Sequence, residues 1–175
     1  MIFWKFFTIV ALFFVAALVQ FTFLPHMVMM GALPNLVFIL FFITIFFEKP
    51  PSQVMGIVAA VVAGFLLDVF SPSYFGIQII SLLLIYFTTK TVMYFLKDQQ
   101  EEYLLAYFIP IFIFSLIGYI AFSYLISNFP HLEFAITKIF YIQLEYNVAI
   151  AFIGFYIFRY AASDHHKNRQ LRLFK

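Results

Sequence analysis

Long apolar stretches, separated by short clusters of charged residues, Pro and Gly, run through the whole chain. A helix that crosses the roughly 30 Å apolar core of a bilayer needs about 17–25 such residues. Dividing the chain at its polar clusters therefore predicts an all-α integral membrane protein, a polytopic bundle of about six transmembrane helices forming a single domain. The predicted spans are, approximately, 3–24, 35–47, 53–70, 77–96, 103–126 and 136–160. The second is short, but Pro34 and Asn35 suit a helix start.

The first span also has features of a secretory signal peptide, because Lys5 precedes an apolar run. That run reaches Leu24 without a polar region or an A-x-A cleavage site. We therefore expect it to be retained as a helix.

Composition supports a membrane protein over a soluble one. Hydrophobic residues make up 65% of the 175 residues and charged residues only 10%, with a mean hydropathy of +1.03. Soluble domains average roughly 45–50% apolar and 25% charged residues. The chain has no Cys, which excludes disulfides and thiolate chemistry.

The positions of Lys and Arg predict the orientation, because short cytoplasmic loops carry an excess of both residues. With six spans, both termini lie on one side of the membrane. Placing that side in the cytoplasm leaves only Lys138 outside. Nine cations are then inside: Lys5, Lys49, Lys90, Lys97, Arg159, Lys167, Arg169, Arg172 and Lys175. The last four lie in a basic tail, residues 161–175, that either anchors this topology or rests against anionic lipid.

The third predicted span carries small residues at four-residue intervals, Gly56, Ala60 and Gly64, followed by Asp68. This spacing places all four on one helix face. Small residues let helices approach closely, which drives packing in lipid. We therefore expect this stripe to be a helix-packing surface.

Asp68 has two interpretations. Its carboxylate could accept backbone N–H bonds in the turn that begins at Ser71. Alternatively it could belong to a polar cluster between the third and sixth spans, because charges within spans usually face the bundle interior or a partner. The candidates on the sixth span are Lys138, Gln143, Glu145 and Asn147. In that cluster Lys138 would supply the cation for Asp68 or Glu145.

We predict no catalytic site, no metal site and no cofactor. Phosphate-binding Gly motifs are missing from the sequence, and the four His residues have no carboxylate at metal-ligand spacing. Asp68 is the sole Asp in a predicted span, and no His lies in mid-membrane, so neither type of intramembrane protease has its residues. Nucleic-acid binding is not expected either, because the cations are spread over the membrane interfaces.

Two stretches resemble the rod shape-determining protein MreD family of small bacterial inner-membrane proteins. The first is Pro34-Asn35-Leu36. The second runs from the Gly56/Gly64 helix through Gly64-Phe65-Leu66-Leu67-Asp68 and Ser71 to Phe75-Gly76. The family pattern has Asp where this chain has Asn35, and Leu where it has Phe75.

The resemblance implies a non-catalytic scaffold of the rod, or elongation, complex, which supports cell shape and peptidoglycan synthesis at the cell wall. Its implied partners are MreC and, through MreC, the MreB filament and the peptidoglycan synthases. The family is also distantly similar in fold to the substrate-binding subunits of energy-coupling factor transporters. The alternative function is therefore binding of a vitamin-type solute by Asp68, Tyr141, Gln143, Glu145 and Asn147, although fold similarity does not carry function.

Overall fold

Six α-helices form the bundle in the computed structural model of the chain. The backbone is described for residues 2–27, 32–48, 54–71, 74–96, 104–127 and 138–173, and the side chains for the same residues except 2–5, 127, 138 and 161–173. The helices are α1 (Ile2–Leu18), α2 (Leu36–Phe46), α3 (Val54–Phe70), α4 (Ile77–Phe95), α5 (Leu104–Ser127) and α6 (Lys138–Leu173). The structure confirms the predicted all-α, polytopic membrane bundle.

Two helices differ from the predicted spans in their ends. After α1 the chain continues through a π-helical turn, Val19–Phe23, and a 3₁₀ turn, Leu24–Met27. The last helix, α6, does not end near residue 160 but continues to Leu173. The predicted basic tail is thus largely a continuation of this helix, and its side chains lie outside the described set.

Four described segments are long and apolar enough to cross a membrane. They are Phe6–His26, Ile77–Phe95, Leu104–Ile126 and Ile139–Tyr160. The helices α2 and α3 are shorter, at 11 and 17 residues. At 1.5 Å per residue, α2 is only about 16 Å long, roughly half the thickness of the apolar core of a bilayer.

The short helix α2 lies at the centre of the bundle. Eight of its 11 residues are buried, and it packs against α1, α3, α6 and, over a smaller area, α5. Around it the outer helices follow one another in the order α1, α3, α4, α5, α6. Within the described residues, α6 and α1 are not a closely packed pair, so the ring is open between them.

Aromatic rings fill the interface between α2 and its neighbours α5 and α6. Phe42 and Phe46 lie one turn apart on α2, and the ring of Phe108 on α5 meets them at centroid distances of 5.5 and 5.0 Å. Phe155 on α6 lies 4.7 Å from Phe108. The contacts of Phe108 with Phe42 and Phe46 are edge-to-face, a favourable arrangement for aromatic rings, which accounts for the many Phe residues in this part of the core.

Candidate functional site

The stripe of small residues on α3 faces α4. Gly56, Ala60 and Gly64 are all buried, and the closest approach is at Gly64. A Cβ placed there would lie 2.5 Å from Ile79 Cα and 2.7 Å from Ile79 N. Carbon atoms normally keep 3.5–4.0 Å apart. At this point α3 and α4 are therefore in backbone-to-backbone contact, which only glycine permits.

Asp68 caps the start of α4. Its carboxylate accepts backbone N–H bonds from Gly76 at 2.9 Å, from Gln78 at 3.0 Å and from Ile79 at 3.4 Å. Gly76 precedes the helix with a φ of +98°, a left-handed conformation that favours glycine. These bonds replace the partners that the first N–H groups of a helix lack. The carboxylate is 4% exposed, so its charge is balanced by the backbone amides and the helix dipole.

The predicted pairing of Asp68 with Glu145 is not found among the described side chains. Asp68 is buried at the start of α4, whereas Glu145 is exposed on α6. The side chain of Lys138 lies outside the described residues. The first interpretation of Asp68, a backbone acceptor at a chain reversal, describes its contacts with Gly76, Gln78 and Ile79 at the end of the turn.

The N-terminal end of α2 is capped by three different elements. Asn35 Oδ1 accepts from Phe38 N at 2.9 Å, and Gln20 Oε1, from the π turn after α1, accepts from Val37 N at 3.0 Å. Asn147 Oδ1, from α6, accepts from Asn35 N at 2.8 Å. Because α2 is too short to reach the membrane surface at both ends, its first amides need partners from within the protein. The preceding Pro34 is buried.

A second set of hydrogen bonds connects this cap to α4 and α5. Tyr119 donates to Gln78 Oε1 at 2.7 Å, and Ser123 donates to the same oxygen at 3.2 Å. Asn35 Nδ2 lies 3.5 Å from Tyr119 Oη. Since the backbone of Gln78 donates to Asp68, a continuous polar network runs from Asp68 to Asn35 and Asn147. We call this set the Asp68 network. Its side chains are those of Asp68, Gln78, Tyr119, Ser123, Asn35 and Asn147. Gln20, in the turn after α1, joins it through the first turn of α2.

The opposite end of α2 is closed by an ion pair. Lys90 Nζ, on α4, lies 3.0 Å from Glu48 Oε2, and Glu48 Oε1 accepts from Gly56 N at 2.7 Å. Lys90 also donates to the carbonyl oxygens of Ile45 at 2.8 Å and of Glu48 at 3.4 Å. The Glu48 side chain is 4% exposed and that of Lys90 21%. We call Glu48 and Lys90 the Glu48 clamp, and it satisfies one carbonyl in the last turn of α2, that of Ile45, and an early amide of α3, that of Gly56.

Several of these residues were not expected from the sequence. Lys90 entered only the count of cytoplasmic cations, and Glu48, Gln20, Gln78 and Tyr119 were not singled out. A signal was present, because Lys90 and Gln78 stand inside a predicted span, where a polar side chain needs a partner. Glu48 directly follows an apolar run and is the first acidic residue in the sequence.

Chemically, the two clusters fix helix ends. In the described part of the chain, no group of three His, Asp or Glu side chains could hold a metal ion. His26 bonds to the carbonyl oxygen of Thr22, one turn earlier. Asn147 is fully buried, with its carbonyl oxygen bonded to Asn35 N and its amide to Gln143 O. The polar side chains therefore bond mainly to backbone and to one another.

These features define the chain as an all-α polytopic membrane protein whose polar residues join the ends of its helices. Comparisons of the chain with known protein families, with curated proteins and with solved structures find no match.

Proposed function

We propose that the chain is a non-catalytic scaffold of the bacterial rod complex in the cytoplasmic membrane, where it supports cell shape and lateral peptidoglycan synthesis. The observation that supports this proposal is the structural role of the residues in the two sequence motifs. Gly64, Asp68 and Gly76 build the α3–α4 hairpin, and Asn35 caps the central helix. These are the positions at which the chain resembles the MreD family.

The internal use of polar groups also favours a scaffold. Asp68 and Asn147 are 4% and 0% exposed and bond to amides and carbonyls of the protein. The outward faces of the helices are apolar; on α3, for example, Ile57, Val61 and Phe65 are exposed. Helices of another membrane protein can pack on such faces through van der Waals contacts. The proposed partners are MreC and, through it, MreB and the peptidoglycan synthases.

The alternative, a solute-binding transporter subunit, has less support from the geometry. Its proposed ligand groups do not converge, because Asp68 and Asn147 are buried and bonded, whereas Tyr141 is 56% exposed and Glu145 is also exposed. Binding of a polar solute requires several polar groups that point into one cavity.

The test is co-purification combined with depletion in the source cells. A tagged chain, expressed at its natural level and extracted in mild detergent, should bring down MreC, and depletion of the chain should make rod-shaped cells round. A tagged unrelated polytopic protein is the control for detergent extraction. Cells that stay rod-shaped on full depletion, with no MreC in the eluate, would exclude the scaffold function.

A second measurement separates the two functions. Native mass spectrometry of the gently purified chain should show no vitamin-type solute under the scaffold proposal. A co-purifying polar solute that disappears in Glu145→Gln, but not in a substitution of another exposed residue such as Tyr156→Phe, would favour the transporter function instead.

A further inference from the structure

A groove opens on the side of the bundle where α1 and α6 diverge. It has a volume of about 370 Å³. Its floor is one face of the central helix, where Leu40, Thr44 and Glu48 follow one another at four-residue intervals. Phe13 and Leu12 of α1 form one wall, and Phe158 of α6 belongs to the other. The groove therefore leads from the lipid-facing surface to the otherwise enclosed helix α2.

The groove is open to the lipid-facing surface along its floor. From Leu40 to Glu48 the floor is eight residues long, about 12 Å at 1.5 Å per residue. An empty apolar groove would leave its lining atoms without van der Waals partners on one side. The hydrocarbon chains of the surrounding lipid can supply those contacts, and an extended chain can follow the floor along its length.

The lining of the groove favours an apolar occupant. Thr44 Oγ1 donates to Leu40 O at 2.8 Å and so has a partner already. The Glu48 carboxylate is held by Lys90 and by Gly56 N. The remaining walls are aliphatic and aromatic. Hydrocarbon fills such a space without leaving a polar group unpaired.

Arg159 lies near the Glu48 end of the groove. It directly follows the wall residue Phe158, whose ring stacks on that of Phe47, the neighbour of Glu48. Arg159 is exposed. Positive charge near a membrane surface attracts anionic lipid head groups. The Glu48 end is the cytoplasmic end according to the distribution of Lys and Arg.

We propose that this groove is a specific site for one acyl chain of an anionic phospholipid from the leaflet at the Glu48 end. The chain lies on Leu40 and Thr44 between α1 and α6, and the phosphate lies beside Arg159. This lipid completes the enclosure of α2 that the ring of helices leaves open. The site is independent of the proposed scaffold function.

The experiment is native mass spectrometry of the full-length chain, released from detergent micelles containing defined phosphatidylglycerol or phosphatidylcholine. The wild-type chain should retain one phosphatidylglycerol under activation that removes other lipids. Thr44→Trp, which fills the groove from its floor, should lower that retention at least about tenfold, a loss of about 1.4 kcal/mol. Leu84→Trp is the matched control, because Leu84 is exposed on α4 and away from the groove.

Leu12→Trp is a second variant that fills the groove from its rim. Leu12 is 46% exposed, so the larger ring can be accommodated without disturbing the core. It should reduce retention in the same way even if Thr44→Trp does not fold. Arg159→Gln should leave a lipid bound but reduce the preference for phosphatidylglycerol over phosphatidylcholine about fivefold, the value expected for one cation near the surface.

Equal lipid retention in wild type, Leu12→Trp and Leu84→Trp would overturn the proposal. So would a wild-type chain that retains both lipids equally. Loss of a co-purifying membrane protein in Leu12→Trp, with lipid retention unchanged, would also overturn it, because the groove would then receive a protein side chain or helix.

Discussion

Replacing Gly64 with alanine places a methyl group against the backbone of α4. The new Cβ would lie 2.5 Å from Ile79 Cα and 2.7 Å from Ile79 N. Neither atom can rotate away as the end of a side chain can. To restore a normal contact distance of 3.5–4.0 Å, the two helices must separate by about 1 Å.

The separation also acts on the cap of α4, because Asp68 lies one turn beyond Gly64 on the same face of α3. Its bond to Ile79 N is already 3.4 Å long, and a further 1 Å takes it beyond hydrogen-bond distance. The bond from Gly76 N, at 2.9 Å, would be strained in the same direction.

The expected net effect is destabilisation. Overpacking a well-packed interface costs about 1–3 kcal/mol, and losing one hydrogen bond to a charged group costs about 1.5–3 kcal/mol. Against this, alanine is favoured over glycine in a helix by about 0.8–1.0 kcal/mol. The variant should therefore be less stable by about 1.5–5 kcal/mol. At about 2–4 °C per kcal/mol for a chain of this length, that lowers the melting temperature by about 3–20 °C.

The assay is the loss of monodisperse protein on heating in one detergent at one heating rate, because membrane proteins unfold irreversibly and the midpoint depends on rate. Gly118→Ala is the matched control. Its Cβ would lie 3.1 Å from Ile85 Cδ1, the mobile end of a side chain. It should melt within about 2 °C of wild type or slightly above, since it gains helix propensity. If Gly64→Ala melts as high as Gly118→Ala, the close approach of α3 and α4 does not limit stability, and the reasoning is wrong.

Three further predictions use the same melting assay. Asp68→Asn keeps the shape but loses the charge and one acceptor oxygen, so it should cost at least about 1.5–3 kcal/mol, and an unchanged midpoint would contradict the cap. Lys90→Met leaves the buried carboxylate of Glu48 without a cation and should cost about 3–5 kcal/mol. The double variant Lys90→Met/Glu48→Gln should recover most of this loss. A double variant no more stable than Lys90→Met would argue against the ion pair. Asn35→Ala should cost about 0.5–2 kcal/mol as a lost helix cap, whereas Asn35→Asp, which keeps the accepting oxygen, should melt within about 2 °C of wild type.

The boundaries of most helices could be predicted from the sequence because they coincide with the ends of apolar runs. The predicted span 77–96 and the observed Ile77–Phe95 agree within one residue. The short second span was also expected, since polar residues on both sides limit its length. The end of α6 was not, because beyond residue 160 helical structure does not depend on apolar residues.

The partners of the polar residues were harder to predict, because they depend on how the helices are placed around each other. Along α6, Glu145 and Asn147 are only two residues apart, yet one is exposed and the other fully buried. Their difference of about 200° around the helix axis follows from 3.6 residues per turn. The position of α2 determines which of these two residues points into the core. The sequence of α6 alone does not specify that position.

The two polar clusters have a common cause in the length of α2. A helix about 16 Å long cannot reach both surfaces of the apolar layer, and both ends of α2 are enclosed by the other helices. The protein must therefore supply hydrogen-bond partners for the unpaired amides at one end of α2 and for the unpaired carbonyls at the other, because lipid offers none. The α3–α4 hairpin serves both ends, with Gln78 and Lys90 on α4 and Gly56 and Asp68 on α3. A change at the α3–α4 contact should therefore loosen both ends of α2 together, so Gly64→Ala should raise hydrogen exchange of amides near Phe38 and Gly56 alike. Faster exchange at Phe38 alone would mean that the Glu48 clamp holds independently of the hairpin spacing.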